Sequence, residues 1–169
     1  MKASLIIIGN EILSGRTQDK NLSYLANWLN EIGIQLTEVR VIRDEEDVIV
    51  ETVNHLRKTY DYVFTTGGIG PTHDDITSES IAKAFSVDLE INQGALSILK
   101  EYYKDGELTE ARMKMTKMPV GSELIENPVS RAPGFKMDNV FVLAGIPGIM
   151  QGMLEGARPV SYTHLTLPT

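Results

Sequence analysis

The sequence contains no cysteine, which excludes disulfides, thiolate metal sites and cysteine nucleophiles. Only three of its 169 residues are histidine, so little chemistry is built on imidazole. Nowhere do the ~20 apolar residues of a membrane helix run together. No basic run stands out and the formal net charge is −7, so neither a membrane nor a nucleic acid is an expected partner. The apolar run after Met1 is too short for a signal peptide and breaks at Gly9-Asn10-Glu11; a soluble, cytoplasmic protein is the expectation. An acidic protein that binds phosphates must do so locally, through loop amides, a metal ion or a few basic side chains.

What is present is ordinary for a globular domain: 42% hydrophobic and 23% charged residues, in a chain long enough to bury one core. Residues 5–8 form a continuous apolar run of β-branched character, the mark of a strand covered on both faces. Leu22, Leu25, Leu29 and Ile32 then recur at helical spacing, and Gly33 is a natural stop. A second strand is expected over 34–42 and a helix from Asp44, its N-cap, with Val48, Ile49, Val53 and Leu56 on the apolar face. Strand 61–66, a glycine-rich loop and a helix to about Phe85 follow. Further helices are expected over 92–103 and 108–118, then a strand over 140–143 and a short last helix. Such alternation predicts an α/β fold with a mostly parallel sheet, whose ligands bind beyond the strand C-termini.

The stretch Thr65-Thr66-Gly67-Gly68-Ile69-Gly70-Pro71-Thr72-His73-Asp74-Asp75-Ile76-Thr77 is the centre of interest. Backbone amides of a glycine loop before a helix N-terminus suit an anion. Two carboxylates beside that cradle suggest a hard divalent cation such as Mg²⁺ between protein and phosphate. The plainer reading makes Asp74 or Asp75 a helix cap, a task for which Thr77 is also available. Gly67, Gly68 and Gly70 serve either a tight turn or close approach to a ligand, and three within four residues favour the ligand. The earlier loop, Gly9-Asn10-Glu11-Ile12-Leu13-Ser14-Gly15-Arg16, leaves the first strand at the same expected edge. It offers Glu11 as a metal or substrate ligand and Arg16 as a phosphate clamp, against the alternatives of a solvated acid and a surface base.

These two loops, with Asn21, Asn127-Pro128 and Ala132-Pro133-Gly134-Phe135, resemble the MoaB/Mog-like molybdopterin-binding domain family. The resemblance runs from about Ser4 to Gly156 and lies in the branch of the N-terminal domain of competence/damage-inducible protein A (CinA). It implies a three-layer αβα sandwich, a homo-oligomer (dimer or trimer), a divalent metal and a small-molecule nucleotide or pterin phosphate. It also implies metal-dependent pyrophosphatase action on a nucleotide diphosphate such as ADP-ribose or FAD. The alternatives within the resemblance are molybdopterin binding or adenylylation, and nucleotide binding without turnover. Carried onto this chain, Asp74 and Asp75 are the catalytic and metal residues. Gly9, Asn10, Glu11, Arg16, Thr66, Gly67, Gly68, Gly70, Pro71, Thr72 and Gly134 bind phosphate or substrate, and Arg131 lies near the ligand.

Two departures stand out. Ala144 and Ile149 occupy positions where the branch usually has proline and glutamate, so any role of that glutamate is missing here. The domain is expected to span 1–157. Residues 158–169 do not continue the family pattern and read as a non-native tail on a truncated reading frame.

Overall fold

In a computed structural model, which describes residues 1–104 and 106–155, the apolar run after Met1 becomes strand β1 (Lys2–Ile8). From Ala3 to Ile8 every residue of it is buried, because β1 lies inside the sheet with partners on both sides. The chain continues through α1 (Asn10–Leu13), α2 (Asn21–Glu31), β2 (Gln35–Ile42), α3 (Glu46–Thr59), β3 (Tyr62–Thr66) and α4 (Thr77–Ala84). Then come β4 (Leu89–Ile91), α5 (Gln93–Tyr102), α6 (Glu110–Met113) and a 3-10 turn (Lys114–Thr116). Strands β5 (Lys117–Pro119), β6 (Glu123–Ile125), β7 (Gly134–Met137) and β8 (Val140–Leu143) follow, and a helix, α7, occupies 147–155. The expected tail over 158–169 lies outside the described residues.

The main sheet runs β2-β1-β3-β8-β7-β6. Its first four strands are parallel, and β7 and β6 add antiparallel. Side chains alternate across the pleat, so β1 feeds two cores. Ala3, Leu5 and Ile7 pack with Leu25, Trp28 and Leu29 of α2 and with Met150, Met153 and Leu154 of α7. Ile6 and Ile8 pack with Ile49, Val53 and Leu56 of α3 and with Ile81 and Ala84 of α4. Helices therefore cover both faces, giving the expected three-layer αβα sandwich. No described helix is long and apolar enough to cross a membrane.

The elements legible from period and punctuation form as expected. Gly33 turns the chain after α2 at φ +79°, a conformation open to glycine. Arg57 and Lys58 sit in the last turn of α3, where positive charge meets the negative end of the dipole.

Two expectations fail. The helix over 108–118 breaks after Met113 into the 3-10 turn and β5. Pro119 lacks an N–H and disfavours helical backbone at Met118, and Thr116 turns its hydroxyl onto the Met113 carbonyl at 2.6 Å. Strand β5 instead pairs antiparallel with β4. The helix expected to be capped by Asp44 starts with Glu45 at the cap position and no side-chain cap, because Asp44 is engaged elsewhere.

Phe64 anchors the first core: its ring stacks on Phe141 at 4.9 Å and meets Trp28 edge-on at 6.5 Å. Truncation to alanine leaves a cavity between the Phe141 and Trp28 rings in a sheet strand that cannot collapse. Phe64→Ala is expected to cost about 3–5 kcal/mol, read from urea unfolding midpoints with an unchanged slope.

Candidate functional site

Because β1, β2 and β3 are parallel neighbours, the loops that leave them emerge on one edge. Strand β1 ends in Gly9, whose N–H donates to the Ile42 carbonyl at 3.1 Å. Asn10 and Asp44 then clasp each other: the Asn10 N–H donates to Asp44 Oδ2 at 3.2 Å and the Asp44 N–H to Asn10 Oδ1 at 3.3 Å. This clasp joins the first loop to the end of β2 and replaces the capping role expected of Asp44.

Strand β3 runs into two consecutive glycines with positive φ, Gly67 at 100° and Gly68 at 76°. A Cβ on Gly67 would fall 2.2 Å from the Ile8 carbonyl oxygen, and one on Gly68 would fall 2.0 Å from Thr77 Oγ1. The close approach that demands glycine at these two positions is to the protein itself. The Gly67 N–H is also spent, donating to the Leu143 carbonyl at 3.2 Å. Thr77 fastens the loop to α4: its hydroxyl donates to the Gly67 carbonyl and its N–H to the Gly68 carbonyl, both at 2.9 Å. The N–H groups of Gly68, Ile69 and Gly70 have no partner among the described residues. They form a half-buried run of donors at the strand end.

Asp75 folds back on this loop. Its Oδ2 accepts from the Thr72 N–H at 2.9 Å and from the Thr72 hydroxyl at 2.8 Å, leaving Oδ1 free of these bonds. A Cβ on Gly70 would lie 2.8 Å from the same carboxylate. Asp74 is exposed, with His73 Nε2 at 3.4 Å. Neither aspartate caps α4, whose N-cap position is Ile76. Glu11 turns its carboxylate back over Gly9, where a Cβ would lie 2.5 Å from Oε1.

Asp44 thus lies within electrostatic reach of three other carboxylates. Burial holds the Asp44 carboxyl above the ordinary carboxylate range, the Asn10 N–H opposes the shift, and the charges of Glu11, Asp75 and Asp74 add to it. Among the described residues, no three acidic or imidazole groups form a ready-made metal cage.

The remaining candidates are placed less centrally. Thr66 is buried and its hydroxyl is without a partner among the described residues. Pro71 and Thr72 form the exposed tip of the loop. Arg16 is exposed and its guanidinium makes no ion pair among the described residues. Gly134 begins β7, beyond β8 from β3; a Cβ there would meet the Val142 carbonyl oxygen at 2.3 Å. Arg131 stands at φ +71° with Glu126 3.8 Å away. Asn21 is buried, and its Nδ2 donates to the Gly145 carbonyl at 2.8 Å, just behind Gly67.

Two members of the site escaped sequence reasoning. Asp44 follows β2 on the ligand edge, and that position was the available signal. Lys114 offered none: it comes from 42 residues away, donates its ammonium to the Thr72 carbonyl and lies 4.0 Å from Glu79 Oε1. Ala144 and Ile149, where the branch usually has proline and glutamate, both pack against the first core.

The family described as the probable molybdopterin binding domain matches residues 4–160, and this chain belongs to it. A protein of Caldivirga maquilingensis is 39% identical over 165 residues, which cover 94% of this chain and 64% of that protein. One of Thermoplasma acidophilum is 39% identical over 157 residues, covering 90% of this chain and 61% of its own. The chain thus spans just under two thirds of these relatives. Among solved structures, the protein CinA from Thermoplasma acidophilum, described as having unknown function, superposes with a TM-score of 0.87 at 37% identity. That match covers 95% of this chain and 98% of CinA. The molybdopterin biosynthesis enzyme MoaB from Thermus thermophilus shares the fold, with a TM-score of 0.64 at 18% identity over 98% of this chain and 94% of its own.

The glycines differ in what they tolerate. Gly67→Ala forces both a left-handed backbone and a clash with β1, and is expected to cost about 2–4 kcal/mol. Gly70→Ala presses only on the movable Asp75 side chain and should cost under about 1 kcal/mol. Thermal unfolding of the two variants checks the order.

Proposed function

We propose that this member of the molybdopterin-binding domain family hydrolyses the phosphoric anhydride of a nucleotide diphosphate such as ADP-ribose or FAD, with a divalent cation. The observation that carries the reading is the run of free N–H groups at Gly68, Ile69 and Gly70 set against four carboxylates. The amides are suited to the phosphate oxygens. The carboxylates, left alone, would repel the same phosphate, so the pairing makes sense with a cation between them.

The donor set fits a hard cation such as Mg²⁺. Glu11, Asp44, Asp74 and Asp75 offer only oxygen, and Mg²⁺ takes one or two carboxylates, substrate phosphate and water, so a closed cage is not needed. When bound, the cation supplies charge neutralisation at the attacked phosphorus and the leaving oxygen. The chain's own residues do the rest. The Gly68–Gly70 amides orient the diphosphate, and the Thr77 anchor keeps them in place at no cost during the reaction. Oδ1 of Asp75, free of the bonds to Thr72, accepts the proton of the attacking water. Water adds to one phosphorus, the bridging P–O bond breaks, and ADP-ribose leaves as AMP and ribose 5-phosphate.

A second reading has the same loop bind molybdopterin or transfer adenylate to it from ATP, releasing pyrophosphate. The description of the family favours it. A third, nucleotide binding without turnover, draws on Ile149, a packing residue where the branch usually has glutamate.

ADP-ribose incubated with the protein and Mg²⁺ separates these readings. Hydrolysis predicts AMP and ribose 5-phosphate, with Asp74→Asn plus Asp75→Asn lowering the rate about a hundredfold or more. Full metal-dependent activity in that double variant would sink the mechanism. An adenylylated pterin formed from ATP and molybdopterin, with ADP-ribose left intact, would favour the second reading. Nucleotide bound but unchanged would favour the third.

A further inference from the structure

Beside the glycine loop lies a cavity of about 650 Å³, within the size range of sites for small organic ligands. One wall is the loop itself, through Gly70 and Asp75. The facing wall comes from the segment after α5: Ala111 and Met113 of α6, Lys114 of the 3-10 turn and Lys117 of β5. Ile69 and Leu89 supply further apolar surface. The segment read as one helix from the sequence is broken here, and the break is what lets α6, the turn and β5 bend around the space.

The charges of the wall are divided. Lys114 is committed to the Thr72 carbonyl and sits near Glu79. Lys117 is exposed, lines the cavity and makes no ion pair among the described residues. Glu79 and Glu110 add two acceptors to the lining. Apolar surface for a flat ring, carboxylates for an exocyclic amino group and a spare ammonium for a phosphate or hydroxyl make a coherent set. The cavity also shares Gly70 and Asp75 with the phosphate loop, so one ligand can occupy both.

We propose that this cavity receives the heterocycle of the phosphate ester whose phosphate lies on the Gly68–Gly70 amides. Ile69, Leu89 and Met113 contact the ring, Glu110 accepts from its exocyclic amino group, and Lys117 holds a further phosphate or hydroxyl. Adenine and pterins share this chemistry. The inference rests on the phosphate-binding reading of the loop and assigns the half of the ligand that the reading leaves open.

Calorimetric titration of the full chain with Mg²⁺ tests it, using ADP-ribose with a methylene in place of the bridging oxygen, which water cannot cleave, neopterin monophosphate and inorganic pyrophosphate on wild type, Ala111→Trp and Lys117→Ala. Ala111 is exposed, so tryptophan there fills the cavity without entering a core. The heterocyclic esters should bind wild type more tightly than pyrophosphate. Ala111→Trp should weaken them by about 10- to 100-fold and Lys117→Ala by about tenfold, with pyrophosphate unchanged by Ala111→Trp. Tighter binding of the ADP-ribose analogue assigns the cavity to a nucleoside; tighter neopterin monophosphate assigns it to a pterin. Equal loss of pyrophosphate in Ala111→Trp, or unchanged ester affinity in that variant, overturns the assignment. Unmodified ADP-ribose recovered intact from wild type sinks the hydrolysis reading alone, because the affinities that judge the cavity need no turnover.

Discussion

At the end of β3 the backbone of Gly67 passes between two other strands. The Ile8 carbonyl of β1 occupies the place a side chain would take, and a Cβ on Gly145, just after β8, would press tightly on the Gly67 α-carbon at 3.0 Å. The arrangement locks three adjacent parallel strands together at the edge where their loops emerge. From it follow the left-handed turn at Gly67 and Gly68, the Thr77 anchor and the next three amides, half-buried and without partners among the described residues. Asn21 reinforces it from behind through the Gly145 carbonyl. Glycine is required at Gly67 and Gly68 by contacts within the protein, and the anion-binding geometry comes as their result.

The edge so formed carries more negative than positive charge. Two carboxylates reach it from β1 and β2, as Glu11 and Asp44, and two from the loop after β3. Lys114 is the ammonium that binds directly to that loop. Burial is the main reason the Asp44 carboxyl is held above its ordinary range, and the charges of Glu11, Asp75 and Asp74 add to it. Crowding of like charges beside free amides is a costly arrangement for folding alone, and sites for chemistry are where such arrangements concentrate.

How much of this the sequence carried depended on the range of the interactions. Strands β1, β3 and β8 and helices α2 and α3 were legible because apolar period, glycine stops and terminal charges are local signals. The three-residue strands β4, β5 and β6 were not, since each is too short to show alternation and is held by its partner. Helical spacing over 108–118 misled for a related reason: the Thr116 hydroxyl and Pro119 outweigh periodicity once β4 offers β5 a ladder. The loops of the site were legible through their glycines and aspartates. Asp44 was visible but misassigned, because capping explains an aspartate before a helix as well as a clasp to Asn10 does. Lys114 could not be found, as only the fold brings it to Thr72.

The bond between Asp75 and Thr72 makes the loop its own first ligand. A carboxylate already sits on the amide and hydroxyl nearest the free donors, in the manner of a built-in competitor for an incoming anion. A cation that draws Asp75 away would raise the loop's affinity for phosphate, and phosphate would raise its affinity for the cation by the same factor. The two would behave as heterotropic partners, each binding weakly alone and the pair binding together.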